Sequence, residues 1–202
     1  MFSILVAAGW PVYPLLAASI IAIALIVERS ITLRQINVLP DGMLQRVIAD
    51  YRQKGFDEVA IANLEAQAPL GRVLAAGLRN VGNSREATRS AIEEAGIVVL
   101  NDLERYLTTL GTIASISPLM GLFGTIIGMI KIFGAQGAAG ANPALMAQGI
   151  SIALYTTGFG IGIAIPAVIF WRHFKASVNS FMVQMQQQAI HLVDVLEGSR
   201  KT

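Results

Sequence analysis

Three stretches without Asp, Glu, Lys, Arg or His stand out along this chain: Phe2 to Val27, Tyr106 to Ile130, and Ile132 to Trp171. About 20 apolar residues suffice for a helix to cross the hydrocarbon of a bilayer, so the pattern predicts three spans. The last stretch is too long for one crossing, and its opening run GAQGAAGANP, with Gly134, Gly137, Gly140 and the Asn142-Pro143 pair, reads as a short loop. Asn142 is placed to cap the third helix, with Pro143 at its first position. The chain then parses into a first span over 1–27, a polar helical segment over 28–105, a second span over 106–133, a loop over 134–145, a third span over 146–171 and a polar helix over 172–202.

Between the first and second spans the polar segment reads as short helices. Asp41 is the expected cap of MLQRVIADYRQ, Gly55 its stop, Asp57 the start of a second helix and Pro69 of a third. From Ser84 no proline occurs before Pro118, which predicts one long helix running on into the second span. Beyond the third span, Phe174, Val178, Phe181, Met185, Ala189, Leu192 and Leu196 recur every three or four residues and form one apolar stripe. Packing against the Ser84 to Leu107 helix is the first reading of that stripe, and recognition of a partner is the second.

Composition changes little in this picture. The 202 residues are 54% hydrophobic and 14% charged, with a mean hydropathy of +0.59, which suits a membrane protein. The absence of cysteine removes disulfides and thiolate chemistry, and His173 and His191 lie too far apart for a helical pair of metal ligands. No nucleophile and base, metal set or cofactor motif is evident, so an enzyme is not expected. The net charge of +2 is explained by topology and does not call for a nucleic-acid partner.

Of the fifteen Lys and Arg residues, ten fall between Arg29 and Arg105, four between Arg172 and Lys201, and one is Lys131. Basic residues near span ends stay on the cytoplasmic side, which predicts an outside N-terminus and an inside C-terminus. Glu28, Arg29 and Arg34 directly follow the first span, as in a retained anchor and not a cleaved leader. Trp10 and Tyr13 are expected in the outer aromatic belt and Trp171 in the inner one. Lys131 reads as a side chain snorkelling to outer headgroups, or as a partner contact.

Within the spans there is no Asp, Glu or His. Such groups are the default markers of an ion path, so a carboxylate that carried protons here would have to come from another chain. Hydroxyls are plentiful: Thr108, Thr109, Thr112, Ser115, Ser117 and Thr125 in the second span, and Ser151, Thr156 and Thr157 in the third. Bonding to their own helix or a neighbour is their commoner use. Gly121, Gly124 and Gly128, with Gly158 and Gly160, predict close packing of spans two and three. Pro118 and Pro166 are expected hinge points.

Two strings, ISPLMGLFGTIIGMIKIF over 116–133 and GISIALYTTGFGIGIAIPAVIFWRHF over 149–174, resemble the second- and third-span patterns of the ExbB, TolQ and MotA proton-channel family, above all its short ExbB-like members. The resemblance implies an all-α ring subunit in the bacterial inner membrane, in the family a pentamer. Such a ring surrounds paired single-span helices of an ExbD- or TolR-like partner whose membrane Asp carries the proton, and it energises an outer-membrane process such as TonB-dependent transport. It implies further that Thr125 and Thr157 face the pore, with Thr156 and Ser151 on the same path. One position departs from the pattern: many relatives have a Glu where this chain has Ile152, and Ser151, Tyr155 and Thr156 are the nearest polar substitutes. The alternative is a three-span scaffold that anchors a partner without conducting ions.

Overall fold

The computed structural model describes residues 10–55, 57–136 and 143–200, and every regular element among them is an α-helix. In chain order these are α1 (Val12–Thr32), α2 (Gln35–Val38), α3 (Met43–Lys54), α4 (Glu58–Gln67), α5 (Pro69–Arg79), α6 (Arg85–Glu104), α7 (Leu107–Gln136) and α8 (Pro143–Arg200). Helices α1, α7 and α8 are long and apolar enough to cross a membrane, which makes this an all-α membrane protein. The chain divides into two units, one of Met1–Glu28 and Tyr106–His173, the other of Arg29–Arg105 and Phe174–Thr202.

The second unit is a polar-surfaced helical cluster with a dense core. Leu70, Val73, Leu74 and Ala75 of α5 are fully buried, and α5 packs against both α4 and α6. The stripe foreseen on α8 supplies much of the rest, since Phe174, Val178, Phe181, Met185, Ala189, Leu192 and Leu196 are all buried. Its packing is internal to the chain: Gly96 of α6 lies under Met182, and Gly77 of α5 under Val193. Ion pairs tie the exposed edges, Arg85 to Asp194 at 2.6 Å and Arg79 to Glu58 at 2.8 Å, with Glu65 as a second partner of Arg79. The hydrogen bond from Arg79 to Glu58, more than any other influence, raises the guanidinium pKa above its ordinary value.

Local chemistry sets most helix ends. Asp57 accepts the Ala60 N–H at 2.8 Å and Ser84 accepts that of Ala87 at 3.2 Å, the side-chain caps such residues favour. Gly55 stops α3 with φ 68° and Pro69 opens α5. Two expectations need correction. Asp41 does not cap α3, because the N-cap is Gly42 at φ 72°, a conformation glycine adopts without steric cost. The first helix runs past the apolar stretch and through the charged residues to Thr32.

The second correction concerns the long helix expected from Ser84 into the second span. It is broken between α6 and α7: Arg105 is extended at φ −50° and ψ 135°, and Tyr106 adopts φ 64°. Helix α7 then restarts with Leu110 N–H bonded to the Tyr106 carbonyl. Arg29, only 3% exposed, donates from Nη1 to the Leu103 carbonyl at 3.3 Å and so covers an acceptor that the ending helix leaves open. At the other end of the second span α7 runs on to Gln136 and α8 starts at Pro143. Gly137, Gly140 and Asn142 of the expected loop lie outside the described residues.

Candidate functional site

The first unit is organised by the seam between α7 and α8. Buried positions on α7 recur as Leu107, Leu110, Ala114, Ser117, Gly121, Gly124, Gly128 and Ile132, and on α8 as Gly149, Ile152, Thr156, Gly160, Ala164 and Ala167. This three-and-four spacing gives each helix one buried face, and small residues on it allow backbone approach where lipid removes the hydrophobic drive to pack. The approach is close enough to exclude a methyl group. A Cβ on Gly121 would lie 2.9 Å from the Thr156 carbonyl oxygen, one on Gly128 2.7 Å from that of Gly149, and one on Gly160 2.5 Å from that of Ser117. At Gly124 it would meet Thr156 Oγ1 at 2.3 Å. Gly158 does not belong to this seam, since among the described residues nothing lies within 4 Å of where its Cβ would be.

Each hydroxyl named from the sequence has a definite place. Thr156 has no exposed surface, and its Oγ1 donates to the Ile152 and Ala153 carbonyls at 2.9 and 3.1 Å. It sits in the packed seam between α7 and α8. Thr157 is half-buried and crosses the seam, donating to the Gly121 carbonyl at 3.3 Å. Half-buried Thr125 donates to the Leu122 carbonyl at 2.6 Å, and Ser151 to that of Ala147 at 2.9 Å. Ile152 is apolar and 2% exposed. Thr125 on α7 and Thr157 on α8 are thus half-buried beside the seam, and Ile152 on α8 is an apolar buried member of it.

Pro118 and Pro166 both lie inside helices that continue past them. Serine hydroxyls cluster near Pro118, Ser115 bonding the Gly111 carbonyl and Ser117 that of Ile113. Toward the other end, Trp171 lies over Gly111, where a Cβ would come within 2.9 Å of its indole. Trp10 meets Phe123 edge to face with ring centroids 6.1 Å apart, and Lys131 is exposed near the end of α7. Two features escaped the sequence reading. The Thr157 bond across the seam needs to know which helix face is buried, and the exposure of Thr108, Thr112 and Ser115 needs the same.

These features define a three-span helical membrane protein whose second and third spans are locked by glycines and bridged by a hydroxyl. Residues 65–187 match the MotA/TolQ/ExbB proton channel family, and the chain belongs to that family. It is 32% identical over 192 residues to the ExbB-like 3 protein of Synechocystis sp., covering 93% of this chain and 91% of that one. The biopolymer transport protein exbB1 of Vibrio cholerae is 29% identical over 199 residues, 94% of this chain and 86% of its own. The Tol-Pal system protein TolQ of Pseudomonas aeruginosa is 29% identical over 180 residues, 80% and 75% respectively.

Proposed function

We propose that this chain is the ring subunit of a stator in the bacterial inner membrane, with its N-terminus outside and its C-terminus inside. It conducts protons inward together with a single-span ExbD- or TolR-like partner dimer and energises an outer-membrane process such as TonB-dependent transport. It is a carrier of ions and not an enzyme. The observation that supports this best is the chemistry of the α7–α8 seam. It offers the hydroxyls of Thr125 and Thr157 but no acid, and Ile152 on the same seam is apolar and buried. A proton path beside such a seam requires a carboxylate from the partner, as the family's subunit composition supplies. The ring, in the family a pentamer, then holds hydroxyl dipoles around a titrating Asp. Each charge crossing the membrane yields about 2.3 kcal/mol per 100 mV, enough over one or two protons to bias a two-state interface.

A non-conducting scaffold is the second reading. It is favoured by Thr156 and Thr157, whose hydroxyls serve packing within the chain. Proton uptake by vesicles holding the complex separates the two. On the stator reading, Thr157→Val or Thr125→Val lowers uptake at least tenfold with the complex still assembled. Uptake unchanged in both variants rejects the assignment of these hydroxyls.

A further inference from the structure

Helix α7 carries a second polar feature, on the side away from the seam. Thr108, Thr112 and Ser115 are all exposed and, at 3.6 residues per turn, share an arc of about 60°. The same arc continues outward as Leu119 and Ile126, which are 63% and 51% exposed. One face of one span is therefore hydroxylated over its first turns and apolar beyond. The hydroxyls begin beside Arg105 and Tyr106, at the end of the span where water is nearest. Thr112 donates to the Thr108 carbonyl at 2.8 Å and Ser115 to that of Gly111 at 2.9 Å, so the donors are satisfied within the helix. The hydroxyl lone pairs remain open to a water column. By the 1.5 Å rise per residue the three span about 10 Å along the helix, and Thr125 lies about 15 Å beyond Ser115.

We propose that Thr108, Thr112 and Ser115 line the wet inner arm of the proton path, through which a proton that the partner's carboxylate has carried inward past Leu119 reaches the cytoplasm, and that Leu119 marks where this arm turns dry. This rests on the stator reading, because inward direction and conduction come from it. The dry stretch beyond Leu119 prevents water alone from joining the two sides and leaves that step to a mobile carboxylate.

The chain contains no cysteine, so single cysteines can be read without background. The full chain, co-assembled with its single-span partner in inside-out vesicles, would carry Thr108→Cys, Thr112→Cys, Ser115→Cys, Ile116→Cys or Ile126→Cys and be treated with a cationic, membrane-impermeant thiol reagent. The reagent attacks thiolate, which forms only where water reaches. Thr108→Cys, Thr112→Cys and Ser115→Cys are expected to react at least tenfold faster than Ile116→Cys and Ile126→Cys, and modification of Thr112→Cys or Ser115→Cys to block proton release from the vesicle lumen. Equal slow rates at all five positions, whether lipid or a second copy covers the face, overturn the proposal. So does fast labelling that leaves proton release intact. Proton release missing from the unsubstituted complex instead refutes the stator reading on which the proposal stands, so the two failures are distinguishable.

Discussion

Gly124→Ala tests the packing of the two central spans most sharply. The added Cβ would stand 2.3 Å from Thr156 Oγ1, 2.4 Å from its Cβ and 2.7 Å from its Cγ2, about 1 Å or more inside the usual contact distance between carbon atoms. Thr156 has no room to retreat, being fully buried with its hydroxyl held by two carbonyls. The helices must therefore separate, at the about 1 to 3 kcal/mol typical of an overpacked interior. For a chain of this size that is a fall in unfolding temperature of roughly 2 to 12 °C, readable by circular dichroism on the detergent-purified protein. Thr156→Gly in the same chain removes the opposing atoms and should recover most of the loss, a reciprocity that no general effect of alanine would produce. An unfolding temperature for Gly124→Ala equal to wild type, or a double variant no better than the single, would refute the seam as described.

Two further outcomes concern the joint between α6 and α7. Arg29→Met keeps the volume but removes the hydrogen bond to the Leu103 carbonyl; a loss of about 1 to 3 kcal/mol, the cost of stranding a buried acceptor, is expected, with faster amide exchange over the last turn of α6 by mass spectrometry. Tyr106 occupies a left-handed backbone conformation at φ 64° that costs L residues about 1 to 2 kcal/mol, so Tyr106→Val should unfold below wild type and Tyr106→Gly at or above it. A lower unfolding temperature for the glycine variant than for the valine variant would show that side-chain contacts, not backbone strain, govern the joint.

Periodic features were legible from the residues alone. The stripe from Phe174 to Leu196 needs only a helical repeat, and burial of all seven members follows from it. Gly121, Gly124 and Gly128 were recognisable for the same reason. What was not legible depends on azimuth and on exceptions. Gly158 and Gly160 are two residues apart, which on a helix places them about 200° apart, so only one can face α7. Thr156 and Thr157 differ by about 100°, and the seam takes the hydroxyl of the first into its packing while letting the second bridge. The break at Arg105 and Tyr106 carries neither glycine nor proline, the residues that ordinarily announce one. It depends on contacts from elsewhere in the chain, such as Arg29 reaching Leu103.

The account's central claim is that this chain conducts protons only around a carboxylate that it does not itself possess. Proton uptake by vesicles under an imposed membrane potential tests this directly, comparing the complete complex with one in which the partner's membrane Asp is replaced by Asn and with this chain alone. The account predicts uptake in the first and none in the other two. Equal uptake in the first two would place the proton carrier in this chain, and no uptake in any would leave a scaffold; either result contradicts the claim.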